Sequence, residues 1–326
     1  MSNPICLEDT QLCSLVSRGN GECPTGSASR YERLLLLELP RPWPNKVLQA
    51  PQLYPGVRDT LTALERTGKG ISVLTIEPDP VYSRSGFVRT LLFTRPEGPF
   101  ADFGRLEHLV PQTEVGAFLG ALLLAGDVSA FAAYRQNVPL RDLLVCTHEA
   151  RDVCCGRFGE AAFGALRMAH PRPGVRVWRT SHIGGHKFAP TLIDLPSGHF
   201  WGHLEPHAYP GILDGTLELG ELKRFYRGWS GLGKREQIAE RAAFEREGWS
   251  WTGAKKSGRV VATSSERDEV TVALEFVRKD GTAGGYEAIV VATGEVETLA
   301  SSGPAPHVWV KQYKVTRLEL KEYVSL

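Results

Sequence analysis

Two cysteines and two histidines carry the most chemistry in this sequence: Cys146 and Cys155 in CTHEARDVCC, and His182 and His186 in SHIGGHKFA. Two thiolates and two imidazoles on two short loops form a donor set that a folded core does not require. Cys2His2 sets suit few centres, chiefly a structural zinc ion or a [2Fe–2S] cluster with mixed ligation. The eight residues between Cys146 and Cys155 are too many for the C-x2–4-C knuckle of a zinc finger. A loop of that length can wrap a larger inorganic core, with Arg151 and Arg157 expected to offset the charge of bound thiolates. Cys154 competes with Cys155, because sequence does not separate adjacent cysteines, and any free cysteine can pack as a small hydrophobe.

In the second loop, Gly184 and Gly185 disfavour a helix, so the histidine spacing is not one helical face. Paired glycines allow positive φ and let N–H groups turn inward towards acceptors such as cluster sulfides. Other candidates carry less. His148 makes C-T-H, half of the Rieske pattern C-x-H…C-x2-H, and the other half is missing. His199, His203 and His207 would share one face of a strand and are expected to form a solvated or aromatic-packed edge. Cys6, Cys13 and Cys23 have no histidine near them in sequence and are expected to be packed or surface thiols. GTAGGYE and TGEVE read as turns between strands, without the strand-to-helix context of a nucleotide fingerprint. Trp229, Trp249, Trp251 and Trp309 are expected in the core.

These loops need a scaffold. A chain of 326 residues exceeds one ordinary hydrophobic core, so two lobes or a large α/β unit are expected. Lys+Arg 38 against Asp+Glu 37 leaves no basic excess, which argues against nucleic-acid binding. MSNPICLEDTQLC lacks a secretory pattern, and the most apolar window, Val115 to Tyr134, is interrupted by Asp127 and three glycines, so no membrane segment is expected. Cysteines clustered beside histidines point to a reducing compartment and a cytoplasmic protein.

Strands are expected at Leu34–Leu39, Ile71–Ile76 and Phe87–Thr94, with helices at Val57–Thr67 and Thr113–Leu124, giving a small N-terminal α/β lobe over residues 1–135. A second lobe, 136–230, takes a strand at Asp142–Cys146, a helix at Gly159–Ala169, a strand at Val175–Thr180 and a hairpin at Thr191–Leu195 and His199–Leu204. Helices at Leu213–Tyr226 and Lys234–Glu247, then strands in RVVATSS, EVTVALEFVR and YEAIVVAT, lead through a C-terminal extension over 231–326. No internal repeat is visible. If both strands of the second lobe share a sheet, Cys146 and His182 emerge at the same edge, where open α/β sheets build ligand sites.

The run CTHEARDVCCGRFG, followed by VWRTSHIGGHKFAPTLIDLPSGHFWGHL, resembles the sucrase/ferredoxin-like family of thioredoxin-like [2Fe–2S] proteins, whose members carry a Cys-x8-Cys and an His-x3-His loop. LLLLELPRPW looks like the family's strand ending in a Pro-Trp turn, and YRGWSGLGKREQIAERA extends the likeness over most of residues 6–250. The resemblance implies an α/β fold with a thioredoxin-like ferredoxin lobe, preceded by a second small α/β lobe and followed by a helical and β extension. It also implies one [2Fe–2S] cluster on Cys146, Cys155, His182 and His186. Imidazole in place of thiolate removes negative charge and raises the potential. An exposed ring nitrogen would bind its proton more tightly after reduction, so reduction should depend on pH.

The expected function is electron transfer to redox partner proteins, by a carrier or a subunit of a larger complex rather than an enzyme. Two alternatives stand beside it: a zinc-stapled interaction protein, and a thiol-based redox enzyme using Cys154–Cys155 or Cys146, which lacks the usual C-x-x-C. No carboxylate pair has the setting that sugar hydrolysis needs, whatever the family's name suggests.

Overall fold

A computed structural model of the chain describes residues 8, 11–68, 70–138, 140–266 and 268–321; Cys6 lies outside them. The N-terminal half contains α1 (Cys13–Gly19), β1 (Arg33–Glu38), α2 (Val57–Arg66), β2 (Ser72–Ile76), β3 (Phe87–Thr94), β4 (Gly104–Pro111), α3 (Val115–Gly120) and β5 (Arg135–Gln136). Then come β6 (Arg141–Cys146), α4 (Val153–Gly164), β7 (Val175–Thr180), β8 (Leu192–Leu195), β9 (His199–Trp201), α5 (Ala208–Asp214), α6 (Leu222–Phe225) and β10 (Tyr226–Trp229). All ten strands belong to one mixed sheet, ordered β10-β9-β8-β6-β7-β2-β1-β3-β4-β5.

That order contains the same unit twice. β1 and β2 run parallel with α2 between them, and the antiparallel pair β3–β4 adds on the other side of β1, followed by α3. β6, α4, β7, β8, β9 and α5 repeat the arrangement. The units join where β2 and β7 meet antiparallel at Ile76 and Thr180, with Ser181 N donating to Thr75 O at 2.9 Å. The two expected lobes are therefore halves of one sheet. The repeat was invisible in the sequence because strand order recurs while residues do not.

The sheet folds back at this joint. Glu107 on β4 accepts from Arg176 on β7 at 2.9 Å, although β2, β1 and β3 stand between those strands. A flat sheet would put them roughly 19 Å apart at about 4.8 Å per strand. Leu34 and Leu36 accordingly share a core with Leu143 and Val145 of the second unit, while Leu35 and Leu37 pack with Val57 and Leu61 of α2 and Val115 and Phe118 of α3. This is the period-2 alternation of a strand buried on both faces.

The remaining residues form α7 (Lys234–Glu247) and a separate antiparallel sheet in the order β11 (Lys255–Ser264), β12 (Glu269–Val277), β13 (Ala283–Leu299) and β14 (His307–Lys321). α7 has the expected bounds. β12 alternates, burying Val270, Val272, Leu274 and Phe276. TGEVE proves to be strand rather than turn: β13 runs through it, absorbing Gly294 at φ +131° where the register shifts. β14 was not anticipated, because charges dilute its alternation. The helix expected at Leu213–Tyr226 divides into α5, a turn and α6, which ends before β10. Among the described residues no helix is long and apolar enough to cross a membrane.

Candidate metal centre

β6 and β7 lie side by side in parallel register, with Cys146 opposite Thr180. Cys146 is thus the last residue of its strand, and His182 follows two residues beyond the neighbouring one. α4 begins at Val153, six residues earlier than expected, because Asp152 caps it: the carboxylate accepts from Cys154 N at 2.9 Å. Both Cys154 and Cys155 therefore sit in the first turn of a helix, facing different ways. Cys155 is the one turned towards the centre. The ligand atoms of Cys146, Cys155 and His182 all lie within 4.8 Å of one another. His182 Nδ1 is 3.8 Å from Cys146 Sγ and 3.7 Å from Cys155 Sγ. Gly159 permits this approach, since a Cβ there would stand 1.9 Å from the Cys146 carbonyl oxygen.

The two central thiols are fully buried, and they share charge unequally. Burial pushes the Cys146 thiol up, but hydrogen bonds from Cys155 and His182 outweigh it and hold Cys146 well below its ordinary value. The same contact with Cys146, helped by burial, drives Cys155 up. The first proton therefore leaves the pair more readily from Cys146 than from Cys155.

The glycine pair has the expected positive φ, +82° at Gly184 and +70° at Gly185. Its cause is a side chain that sequence reasoning missed. A Cβ on Gly185 would lie 2.4 Å from Nη2 of Arg227. Arg227 is buried and donates to Gly184 O at 3.0 Å, Ser27 Oγ at 3.0 Å and Ser27 O at 2.7 Å. Burial lowers its pKa to about 10, against the raising influence of Tyr31, Cys146 and Cys155. Arg227 is thus the buried cation that offsets the thiols. Arg151 and Arg157, expected in that role, are exposed, and Arg157 lies over the Phe158 ring.

His186 does not join the other three. Its Nδ1 is 3.3 Å from Cys13 Sγ and 3.3 Å from Asp152 Oδ2, while its ring stands 5.7 Å from that of His182. Burial pushes its pKa down, favouring the neutral imidazole that metals require. With Cys13 Sγ and Asp152 Oδ2 both beside Nδ1, Nε2 is the ring nitrogen left to act as a donor atom.

His148, the histidine of C-T-H, is a positioning residue. Its Nδ1 accepts from His182 N at 3.2 Å, so its Nε2 carries the proton and donates to Trp43 O at 3.0 Å. Trp43 belongs to the Pro-Trp turn after β1, so the first unit of the sheet helps set the ligand loop of the second. The other histidines share no strand face. His199 and His203 are buried, His203 with φ +52° and its ring edge-on to Phe188, while His207 is exposed beside Glu221. Trp229 and Trp251 are buried as expected and Trp249 half-buried, but Trp309 is 64% exposed. Cys13 is buried beside His186 and Cys23 half-buried. Proximity to Arg227 and Cys13 had no signal in local spacing.

Soft donors at the C-terminal ends of adjacent parallel strands define an α/β protein with a candidate Cys/His metal centre. Residues 24–228, well over half of the chain, match the sucrase/ferredoxin-like family, and the chain belongs to it. Among curated proteins it is similar to "Altered inheritance of mitochondria protein 32" of Debaryomyces hansenii, 35% identical over 101 residues, covering 28% of this chain and 37% of the relative. The protein of that name from Clavispora lusitaniae is 34% identical over 101 residues, with the same coverage. The matched stretch thus spans little more than a third of these relatives. A solved thioredoxin-like [2Fe–2S] ferredoxin from Aquifex aeolicus aligns with a TM-score of 0.24 and 18% identity, covering 29% of this chain and 96% of that one.

Proposed function

We propose that the chain is an electron-transfer protein carrying one [2Fe–2S] cluster on Cys146, Cys155, His182 and His186. The observation that carries the reading is the convergence of Cys146, Cys155 and His182 within 4.8 Å. Family membership and the adjacent His186, with Asp152 on its Nδ1, add support. Two buried sulfurs and two imidazoles fit such a cluster by donor chemistry. The cluster, when bound, supplies one-electron redox chemistry.

The surrounding residues have definite tasks. Arg227 balances thiolate charge from a buried position and props the glycine pair. His148 fixes the backbone of His182, and Cys13 Sγ and Asp152 Oδ2 both stand 3.3 Å from Nδ1 of His186. His182 is half-buried, so its ring lies at the boundary between the centre and solvent. The order β9-β8-β6-β7, with α4 between the parallel strands, supports a thioredoxin-like ferredoxin lobe over residues 136–230. A groove of about 570 Å³, lined by Lys46, Leu48, His148, Arg151 and His182, is where a redox partner would approach. Cys13, Cys23, Cys146, Cys154 and Cys155 are all free thiols, which supports a reducing compartment such as the cytoplasm.

The test is the absorption and EPR spectrum of anaerobically purified protein, before and after dithionite, with iron, sulfide and zinc quantified. Two irons and two sulfides per chain, lost in Cys146→Ser and Cys155→Ser, are expected. A colourless protein with one zinc and no sulfide would replace this reading with a zinc-stapled interaction module.

A further inference from the structure

Behind His186 lies a second pair of thiols outside the proposed ligand set. Cys13 begins α1 and Cys154 lies in the first turn of α4; both are fully buried. Their sulfurs and the Asp152 carboxylate all lie within 4.8 Å of one another. Three distant parts of the chain build this place. Ser302, in the turn after β13, accepts from Cys13 N at 3.1 Å, and its Oγ is 3.1 Å from Cys154 Sγ. Leu12, Ala189 and Leu299 pack around the sulfurs.

The contacts distinguish a thiol pair from a metal site. Oδ1 of Asp152 accepts from Cys154 N at 2.9 Å and from Ser302 Oγ at 2.8 Å, while Oδ2 accepts from Ser302 N at 2.9 Å. His186 Nδ1 stands 3.3 Å from that second oxygen. The carboxylate is already committed as a helix cap and loop anchor, so ligating a metal would cost it these bonds. Two sulfurs in reach of each other remain, and among the described residues neither is joined to another cysteine.

We propose that Cys13 and Cys154 are a redox-active dithiol, closed to a disulfide by a small hydroperoxide. One thiol takes the terminal peroxide oxygen as a sulfenic acid, the O–O bond breaks, and with hydrogen peroxide the first water leaves. The second thiol attacks that sulfur, the S–O bond breaks, and a second water leaves with both thiol protons accounted for. Two electrons pass from the sulfurs to the peroxide. The bond would tie α1 to the start of α4, and it would take the proton from the Cys13 thiol that stands 3.3 Å from His186 Nδ1. The state of the pair is thereby felt at the ring that the proposed centre uses.

The experiment treats full-length protein with stoichiometric hydrogen peroxide, denatures it, alkylates the free thiols and maps the peptides without reduction. A Cys13–Cys154 linked peptide, a loss of two alkylatable thiols per chain and reversal by dithiothreitol are expected. Cys13→Ser and Cys154→Ser should each abolish the link, with circular dichroism reporting their folding. The mapping itself uses the unsubstituted chain and does not depend on either variant. Both cysteines fully alkylated after peroxide, or either linked to another cysteine, would overturn the proposal. So would one equivalent of bound zinc, lost in both variants. Absorption of the same sample reports separately whether the Cys146–Cys155 centre is loaded, so failure of one reading leaves the other standing.

Discussion

Alanine at Gly185 should damage the ligand loop far more than alanine at its neighbour Gly184, although both residues have positive φ. Holding alanine in the left-handed region costs about 1–2 kcal/mol. At Gly184 little else is added, because the nearest atom to a new Cβ is Ser29 Oγ at 3.5 Å, an ordinary contact. At Gly185 the new Cβ meets Arg227 Nη2 at 2.4 Å and Cζ at 2.7 Å. Arg227 is buried and anchored by three hydrogen bonds, so it cannot swing aside without breaking some of them. Such overpacking costs about 1–3 kcal/mol. Gly185→Ala should therefore be less stable than Gly184→Ala by that same margin, read from denaturant midpoints followed by tryptophan fluorescence. Iron retained per chain should fall in the same order. In the pair Gly185→Ala with Arg227→Ala the clash is gone, so the combined loss should be smaller than the sum of the two single losses. Equal stability of the two alanine variants, or strict additivity in the double variant, would refute this account of the glycine pair.

Three other outcomes follow from the same geometry. His148→Phe strands His182 N and Trp43 O, each costing about 1–3 kcal/mol when left buried and unpaired, and should lower both the melting temperature and metal retention; unchanged metal retention would remove His148 from the site. Glu107 is buried, which alone would raise its pKa, but Arg176, Arg89 and Arg105 hold it below the model-peptide value of 4.5. Its stabilisation is present above that unfolded value and is lost as pH falls through the lower folded one. Glu107→Gln should cost about 3–5 kcal/mol at neutral pH and flatten the acid limb of the stability curve; an unaltered acid limb would show that other carboxylates govern it. If one proton accompanies each electron, the midpoint potential should fall as pH rises, by about 59 mV per unit. A potential constant from neutral to alkaline pH would count against solvent-exposed histidine ligation.

Much of the scaffold is local, and the sequence determined it. Unbroken apolar runs mark β1 and β6 as buried strands and β-branched residues alternating with arginine mark β7; β6 and β7 end where Cys146 and the His182 loop begin. The β12 alternation and the bounds of α7 were equally legible, because burial period and helical spacing are short-range properties. Tertiary structure decided everything that joins distant segments. The choice between Cys154 and Cys155 needed the true start of α4, since successive helical residues point about 100° apart. The Asp152 cap was a visible signal for that start, but its further bonds to Ser302 and its approach to His186 were not. Arg227 behind Gly185, Cys13 beside His186 and the fold-back that brings Arg176 to Glu107 left no periodic trace. Periodicity records which side of an element is buried. It does not record which distant side chain meets that side, and at this centre such meetings set the charge, the ring orientation and the loop.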